Sequence, residues 1–347
     1  MQKNTPLLRA LAVALPLGLA ALAPVHAQQN AGAAKTQQAV VAAPFPADAG
    51  EHMNALNAES DMPALKRGDK GSAVVRAQIM LDRNWFSVGE VDGIFGSNML
   101  RAVKAFQLAR DLPVTGQVDD ATWQALAAQQ APAFATYVLT QEDMDGPFHA
   151  LPDDPVEQGA LPAMTYESVE EMLAERFHMS PKLLVALNKG RNLQAGETLV
   201  VADVGRAAQL PAAARVRIDK SDSMLYVIGE GERVLGAFPV SLGNPQDPLP
   251  LGELKIVSEV KMPDFMYNPE LLRNAKTDRK VKLPPGPNSP VGIVWLGLSK
   301  EHAGIHGTSE PSQMARVETN GCVRLTNWDV LRLSKVVQTG TVVEVRA

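Results

Sequence analysis

Cys322 is the only cysteine in the 347-residue sequence, and its neighbours are of the kinds that put a thiol to use. Thr319-Asn320-Gly321-Cys322-Val323-Arg324-Leu325 follows Ile305-His306-Gly307-Thr308, so His306 stands sixteen residues before the cysteine. A thiol is a good nucleophile only as its thiolate, and an imidazole or another positive field nearby lowers its pKa. Sixteen residues make a loop long enough to fold back and bring His306 against the sulfur. Gly321 lets the backbone turn sharply and approach a substrate carbonyl. It also leaves the amides of Gly321 and Cys322 to face a developing oxyanion, where one donor is typically worth about 10²–10³ in rate. Arg324, two residues on, can set a rigid fork on a carboxylate. Thiol, imidazole and amides fill every role in such chemistry, so it needs no cofactor, neither metal nor nucleotide. His302 reads as a loop residue rather than the base. His52, His149 and His178 lack metal-ligand spacing, so the reading has no metal site.

A lone thiol could equally be an inert buried hydrophobe, and composition by itself favours that. The surrounding motif reverses the choice, and the N-terminus sharpens it. Lys3 and Arg9 precede an apolar run from Ala10 to Ala23, and Val25-His26-Ala27 supplies small residues for cleavage. Residues 1–27 therefore read as a secretory signal peptide. The run holds Pro16 and Gly18 and is shorter than the roughly 20 apolar residues a spanning helix needs, so no stable membrane span is expected. With a net charge of -5, no long Lys/Arg block and 5% aromatic residues, the sequence argues against nucleic acid as a partner. The expected location is exported: periplasmic and wall-associated.

The elements that must position these groups fall into several segments. Residues 28–63, rich in Ala, Gln and Asn, read as a flexible linker in which Glu51–Glu59 could form some helix. Residues 64–128 read as a three-helix module. Val74, Ala77, Gln78 and Leu81 keep the helical period, as do Met99, Ala102, Val103 and Phe106. Phe95, Phe106 and Trp123 read as core. Residues 137–204 form a small α/β segment with helices around Met172-Leu173 and Leu183-Leu187, the second capped by Ser180, before a strand at Thr198–Val201. In 213–347 the period falls to two. Val216 and Ile218 are expected inward, and Leu254, Ile256 and Val260 on one common face. A late helix follows Asn327. The class is multidomain α+β, ending in a mainly β sandwich or open barrel.

Three resemblances follow from these residues. Leu65-Lys66-Arg67-Gly68-Asp69, Val91-Asp92-Gly93, Phe95-Gly96, Phe106-Gln107, Thr115-Gly116 and Thr122-Trp123 resemble the peptidoglycan-binding-domain-1 family. Tyr166, Phe177, Leu187-Asn188 and Gly196-Glu197 resemble a degenerate LysM repeat. His306-Gly307-Thr308 with Thr319-x-Gly321-Cys322-x-Arg324 resembles the signature of YkuD-type L,D-transpeptidases. Phe238–Gly243, Pro250–Leu254 and Pro285–Pro290 support that likeness. Leu249 and Leu251 depart from the usual threonines of that turn, and Asn320 stands where some relatives have a histidine.

The resemblance implies that Cys322 is the acyl-accepting nucleophile and His306 its base. Gly321, Arg324, Thr319, Asn320, Gly307 and Thr308 would complete the oxyanion and substrate site, with Thr319 supporting the cysteine loop. Gly304 is the expected carbonyl partner for the Nδ1 proton of His306, and Trp295 is expected to pack rather than to serve as a substrate platform. The implied partner is peptidoglycan, through its donor and acceptor stem peptides, with release of D-alanine and a 3–3 cross-link. Water as acceptor would make an L,D-carboxypeptidase, and a protein amine would attach a lipoprotein to the wall. A non-catalytic wall-binding scaffold is the alternative from another class.

Overall fold

The computed structural model describes residues 48–347 except 130, 206, 244–247, 273–274 and 320. The leader and residues 28–47 of the expected linker therefore lie outside the described residues. One part of that linker stretch is a helix, α1 (Ala49–Ala58), started by Asp48, whose side chain accepts from the Gly50 and Glu51 amides. Ala49, His52, Met53 and Leu56 fall at i, i+3, i+4, i+7 and face neighbouring core. The sequence allowed some helix at Glu51–Glu59 but not its packing against the core, because alanine and histidine carry little hydrophobic signal.

The expected three helices follow: α2 (Ser72–Arg83), α3 (Ser97–Ala109) and α4 (Asp120–Leu126). Both predicted apolar faces are buried, and so are Phe95, Phe106 and Trp123. Two polar residues on those faces have a separate task. Gln78 accepts from the amides of Asp92 and Gly93 and donates to Asp92 Oδ1, which clamps the turn between α2 and α3. Gln107 holds the Thr115–Gln117 turn in the same way. A buried amide that meets all its partners stabilises a turn that has no apolar face of its own.

The middle segment opens with β1 (Phe134–Val138), then α5 (Gln141–Asp145), α6 (Pro155–Gln158), α7 (Val169–Arg176) and α8 (Pro181–Leu187), and closes with β2 (Thr198–Ala202). Strands β1 and β2 pair antiparallel, and Asn57 of α1 exchanges hydrogen bonds with Phe134. Ser180 caps α8 as expected, accepting from the Leu183 amide at 3.2 Å.

The C-terminal part contains β3 (Arg215–Asp219), β4 (Met224–Ile228), β5 (Val234–Pro239), β6 (Gly252–Lys261), β7 (Phe265–Tyr267), β8 (Val281–Leu283), β9 (Val294–Leu298), β10 (Gly304–His306), β11 (Val323–Arg324), α9 (Asn327–Ser334) and β12 (Val342–Arg346). Eight of these strands form one sheet, in the order β11-β10-β9-β6-β12-β3-β4-β5, while β7 and β8 form a separate hairpin. Just past β5, Ser241 exchanges backbone hydrogen bonds of 3.0 and 2.9 Å with Arg324 of β11. The curled sheet therefore closes on itself at this end, as a barrel rather than a sandwich. Val216, Ile218, Ile256, Val343, Val345 and one face of α9 fill its core.

Val260 departs from the expected pattern. A bulge between Ile256 and Ser258 adds one residue to β6 against β9, so Val260 pairs with Trp295 and lies exposed beside the cleft described below. Inserting a single residue inverts the facing of every residue beyond it.

The described residues form one contact unit, and the helical module is fused into the barrel. Trp85 lies in the barrel core against Phe238, and its carbonyl accepts from the Ala237 amide at 2.7 Å. Asp82 of α2 is fully buried and grips Arg332 of α9 bidentately at 3.0 and 2.9 Å, while His178 contacts it at 3.1 Å. Against the opposing push of burial, the Arg332 charge and the hydrogen bonds from Arg332 and His178 hold the Asp82 carboxyl far below its ordinary pKa. Three segments of the chain thus meet on one carboxylate. Removing one partner of a buried pair strands the others, so Asp82→Ala is expected to cost about 3–5 kcal/mol in chemical denaturation. A loss below about 1 kcal/mol would show that the cluster is not a fastener.

Candidate active site

Strand β10 lies between β9 and β11. Its register pairs His306 with Arg324 on one side and with Trp295 on the other. Side chains two residues apart share a face of a sheet, so Cys322, just before β11, falls on the same side as Arg324 and His306. The opposite face carries Ile305 and Val323 into the barrel core. The sixteen-residue loop has folded back as a parallel strand pair, and His306, Cys322 and Arg324 line one cleft of ≈ 840 Å³. Thr319 and Gly321 line it as well.

The cysteine segment is held from several directions. Arg324 exchanges hydrogen bonds with Ser241, the Leu325 amide donates to the His306 carbonyl at 2.8 Å, and the Thr319 amide donates to Leu242 at 2.8 Å. The Thr319 hydroxyl donates to the Cys322 carbonyl at 2.5 Å. Gly321 turns with φ 85°, a conformation that a side chain resists. Cys322 itself is partly exposed, and its Sγ lies 3.6 Å from the carbonyl oxygen of His302. Asn320 lies outside the described residues.

His306 is buried, and its Nδ1 lies 2.7 Å from the carbonyl oxygen of Gly307. A carbonyl only accepts, so Nδ1 carries the proton and the basic lone pair of the neutral ring is on Nε2. The expected carbonyl at Gly304 is not the partner. Gly304 serves instead to make room, because a Cβ there would collide with the Trp295 indole. That indole stacks on His306 with centroids 5.3 Å apart and 13° between the planes. Trp295 therefore packs, as expected, but against the imidazole at the cleft wall.

Burial and then the nearby Arg324 charge push the His306 pKa down to about 4, opposed by the Gly307 carbonyl. The imidazole is thus neutral at neutral pH. Arg324 is itself largely buried beside Glu310, at 3.7 Å, and Cys322 interacts with it electrostatically. Its Nε is buried with no hydrogen-bond partner among the described residues. Thr308 is buried, and its hydroxyl accepts from the Glu310 amide at 3.1 Å, which shapes the turn behind His306.

Residues 213–345 match the family of the L,D-transpeptidase catalytic domain, and the match spans every residue of this cleft. The C-terminal barrel is an L,D-transpeptidase catalytic domain. Residues 70–126 match the peptidoglycan binding domain family. The YkuD protein of Bacillus licheniformis, described as an L,D-transpeptidase, is 29% identical over 178 residues, covering 50% of this chain and 92% of that protein. Its Bacillus subtilis counterpart is 27% identical over 171 residues, covering 49% and 88% respectively. ErfK/SrfK of Salmonella typhimurium, also described as an L,D-transpeptidase, is 26% identical over 185 residues, 50% of this chain and 58% of that protein.

The transpeptidase cleft also uses residues that sequence reasoning passed over. The β7–β8 hairpin and the segment after β7 form one wall with Phe265, Met266, Tyr267 and Leu271. Their period was too short to register as strands. The His302 carbonyl reaches the sulfur because His302 adopts φ 58°, a backbone state with no side-chain signature. Asn327 carries a polar amide into the core at the start of α9, and only its partners show why.

Proposed function

We propose that this transpeptidase domain joins peptidoglycan stem peptides, with Cys322 as nucleophile, His306 as base and Arg324 as the anchor for a substrate carboxylate. The observation that carries the reading is the neutral His306 ring, with Nδ1 committed to Gly307 and Nε2 left basic, in the cleft it shares with Cys322.

Cys322 Sγ attacks the carbonyl carbon of the bond between the third stem residue and D-alanine, and its proton passes to His306 Nε2. The amides of Gly321 and Cys322 are the donors for the oxyanion that forms. When that intermediate collapses, the C–N bond breaks and D-alanine leaves with the proton from Nε2, so the acyl group remains on Cys322 as a thioester. The side-chain amine of a second stem peptide then attacks the thioester and gives its proton to Nε2. The C–S bond breaks, the thiol is restored, and a 3–3 cross-link results. The Arg324 guanidinium lines the cleft beside Cys322, and a planar cation there supports a carboxylate ligand. The peptidoglycan binding domain supports an insoluble wall as the substrate, since a second attachment raises the local concentration of the active site. The place of action is the exported, wall-facing side of the membrane.

Mass spectrometry of tetrapeptide muropeptides incubated with the mature protein tests the reading. A cross-linked dimer lacking one D-alanine supports it. Tripeptide alone replaces transfer by hydrolysis, and attachment of an added lipoprotein in place of the dimer redirects the acyl group to a protein amine. No product, with the protein still pelleting on purified wall, overturns catalysis in favour of a binding scaffold.

A further inference from the structure

The middle segment reaches the catalytic histidine through a chain of contacts. Glu175 lies on α7, and its Oε1 accepts from Asn327 Nδ2 at 2.9 Å and from the Tyr166 hydroxyl at 3.1 Å. Asn327 is almost wholly buried at the start of α9, and its Nδ2 also donates to the Pro287 carbonyl at 3.0 Å. Its Oδ1 accepts from the Ile293 amide at 3.2 Å. That oxygen is wedged between Gly292 and Gly307, where a Cβ on either glycine would overlap it. Gly307 is the residue whose carbonyl takes the Nδ1 proton of His306. The carboxylate thus fixes an amide, the amide fixes a glycine, and the glycine fixes the tautomer and tilt of the imidazole.

A second tie joins the same two segments. The Met164 amide donates to Pro285 at 2.9 Å, and the Asn288 amide donates back to Met164 at 3.0 Å. Asn288 Nδ2 adds a bond to Thr165 at 3.0 Å. Gly286 passes so close to the Met164 carbonyl that no side chain fits between them. This loop runs directly into Pro290 and Val291, which line the cleft.

We infer that Glu175 is a positioning residue for His306, so that the middle segment completes the transpeptidase site in addition to any contact it makes with the wall. The inference rests on the assignment of His306 as base to Cys322. An outer partner that orients a catalytic imidazole is held by geometry, and small misplacement of a reacting group is expensive: displacements near 1 Å can cost about 10²-fold. Burial, only partly offset by the Asn327 and Tyr166 hydrogen bonds, raises the Glu175 carboxyl to about 7, and its Oε1 accepts both hydrogen bonds whether or not the other oxygen is protonated.

The test uses the full mature chain with Glu175→Ala and Glu175→Gln. It reads kcat and KM on tetrapeptide muropeptides, the pH dependence of Cys322 alkylation by iodoacetamide, and Tm. Glu175→Ala is expected to lower kcat about 10- to 100-fold with KM within about twofold, and to slow alkylation across neutral pH. Glu175→Gln keeps an oxygen acceptor for Asn327 and is expected to recover both to within about threefold. Should Glu175→Ala fail to fold, Glu175→Asp carries the test, because its shorter stem withdraws the oxygen from Asn327 and should reproduce the loss. Variants that only lower Tm, with kcat and the alkylation profile unchanged, overturn the inference, as does a Gln variant as impaired as Ala. Alkylation that is indifferent to His306→Ala would instead sink the nucleophile–base assignment, whatever Glu175 does.

Discussion

Cys322→Ala is expected to abolish release of D-alanine from tetrapeptide muropeptides, a loss of about 10⁴–10⁶ in turnover, while leaving the fold intact. The magnitude follows from the mechanism: without the sulfur there is no thioester, and the amides and Arg324 that remain can only bind. The separation from folding follows from the structure. The tie between Thr319 and this segment ends on the Cys322 carbonyl, which alanine keeps, and the side chain is partly exposed at the cleft. Tm and pelleting on purified wall should therefore match the wild type. Measurable turnover above about 1% of wild type, given the scale of loss expected on removing a nucleophile, would mean that another residue accepts the acyl group.

His306→Ala carries the second-largest effect, about 10³-fold or more in kcat/KM, because nucleophile and base work as one unit. The pH profile of the wild type makes this reading specific. A base must be unprotonated to act. With its pKa near 4, His306 keeps its lone pair throughout the neutral range and loses it only as the pH falls through about 4. The acid limb of kcat/KM belongs there, well below the 6.5 of an exposed imidazole. Burial is the larger cause and the Arg324 charge the next, so Arg324→Met should move the limb upward without restoring the exposed value. A limb near 6.5 in the wild type would contradict a buried neutral ring. The same group bears on stability. Its folded pKa lies below the unfolded one, so its contribution is complete above 6.5 and is lost as the pH falls toward 4.

Both effects concern residues that a short motif exposes, and that is why they were legible without coordinates. Helix periods at Val74–Leu81 and Met99–Phe106, strand alternation at Arg215–Asp219, the Ser180 cap and the His306–Cys322 spacing all arise between near neighbours in the chain. Van der Waals contact, turn geometry and hydrogen-bond reach act over a few residues, so composition and order encode them directly. The mainly β class, with sandwich and open barrel both left open, was legible at that level, and so were the candidate site residues.

Tertiary packing decided the rest. The Nδ1 partner of His306 is Gly307 rather than Gly304, because ring orientation depends on the Trp295 stack and not on spacing. Val260 faces the cleft because one bulge inverts its strand. The helical module is welded to the barrel by Asp82 and Arg332, which are 250 residues apart, and Glu175 meets Asn327 across 152 residues. No local pattern specifies such pairs. A lone buried carboxylate or amide is costly, and its partner is whichever polar group the completed fold brings within hydrogen-bond reach. From order alone, the sequence determined which groups are candidates for the chemistry, whereas the tertiary structure decided what holds them in position.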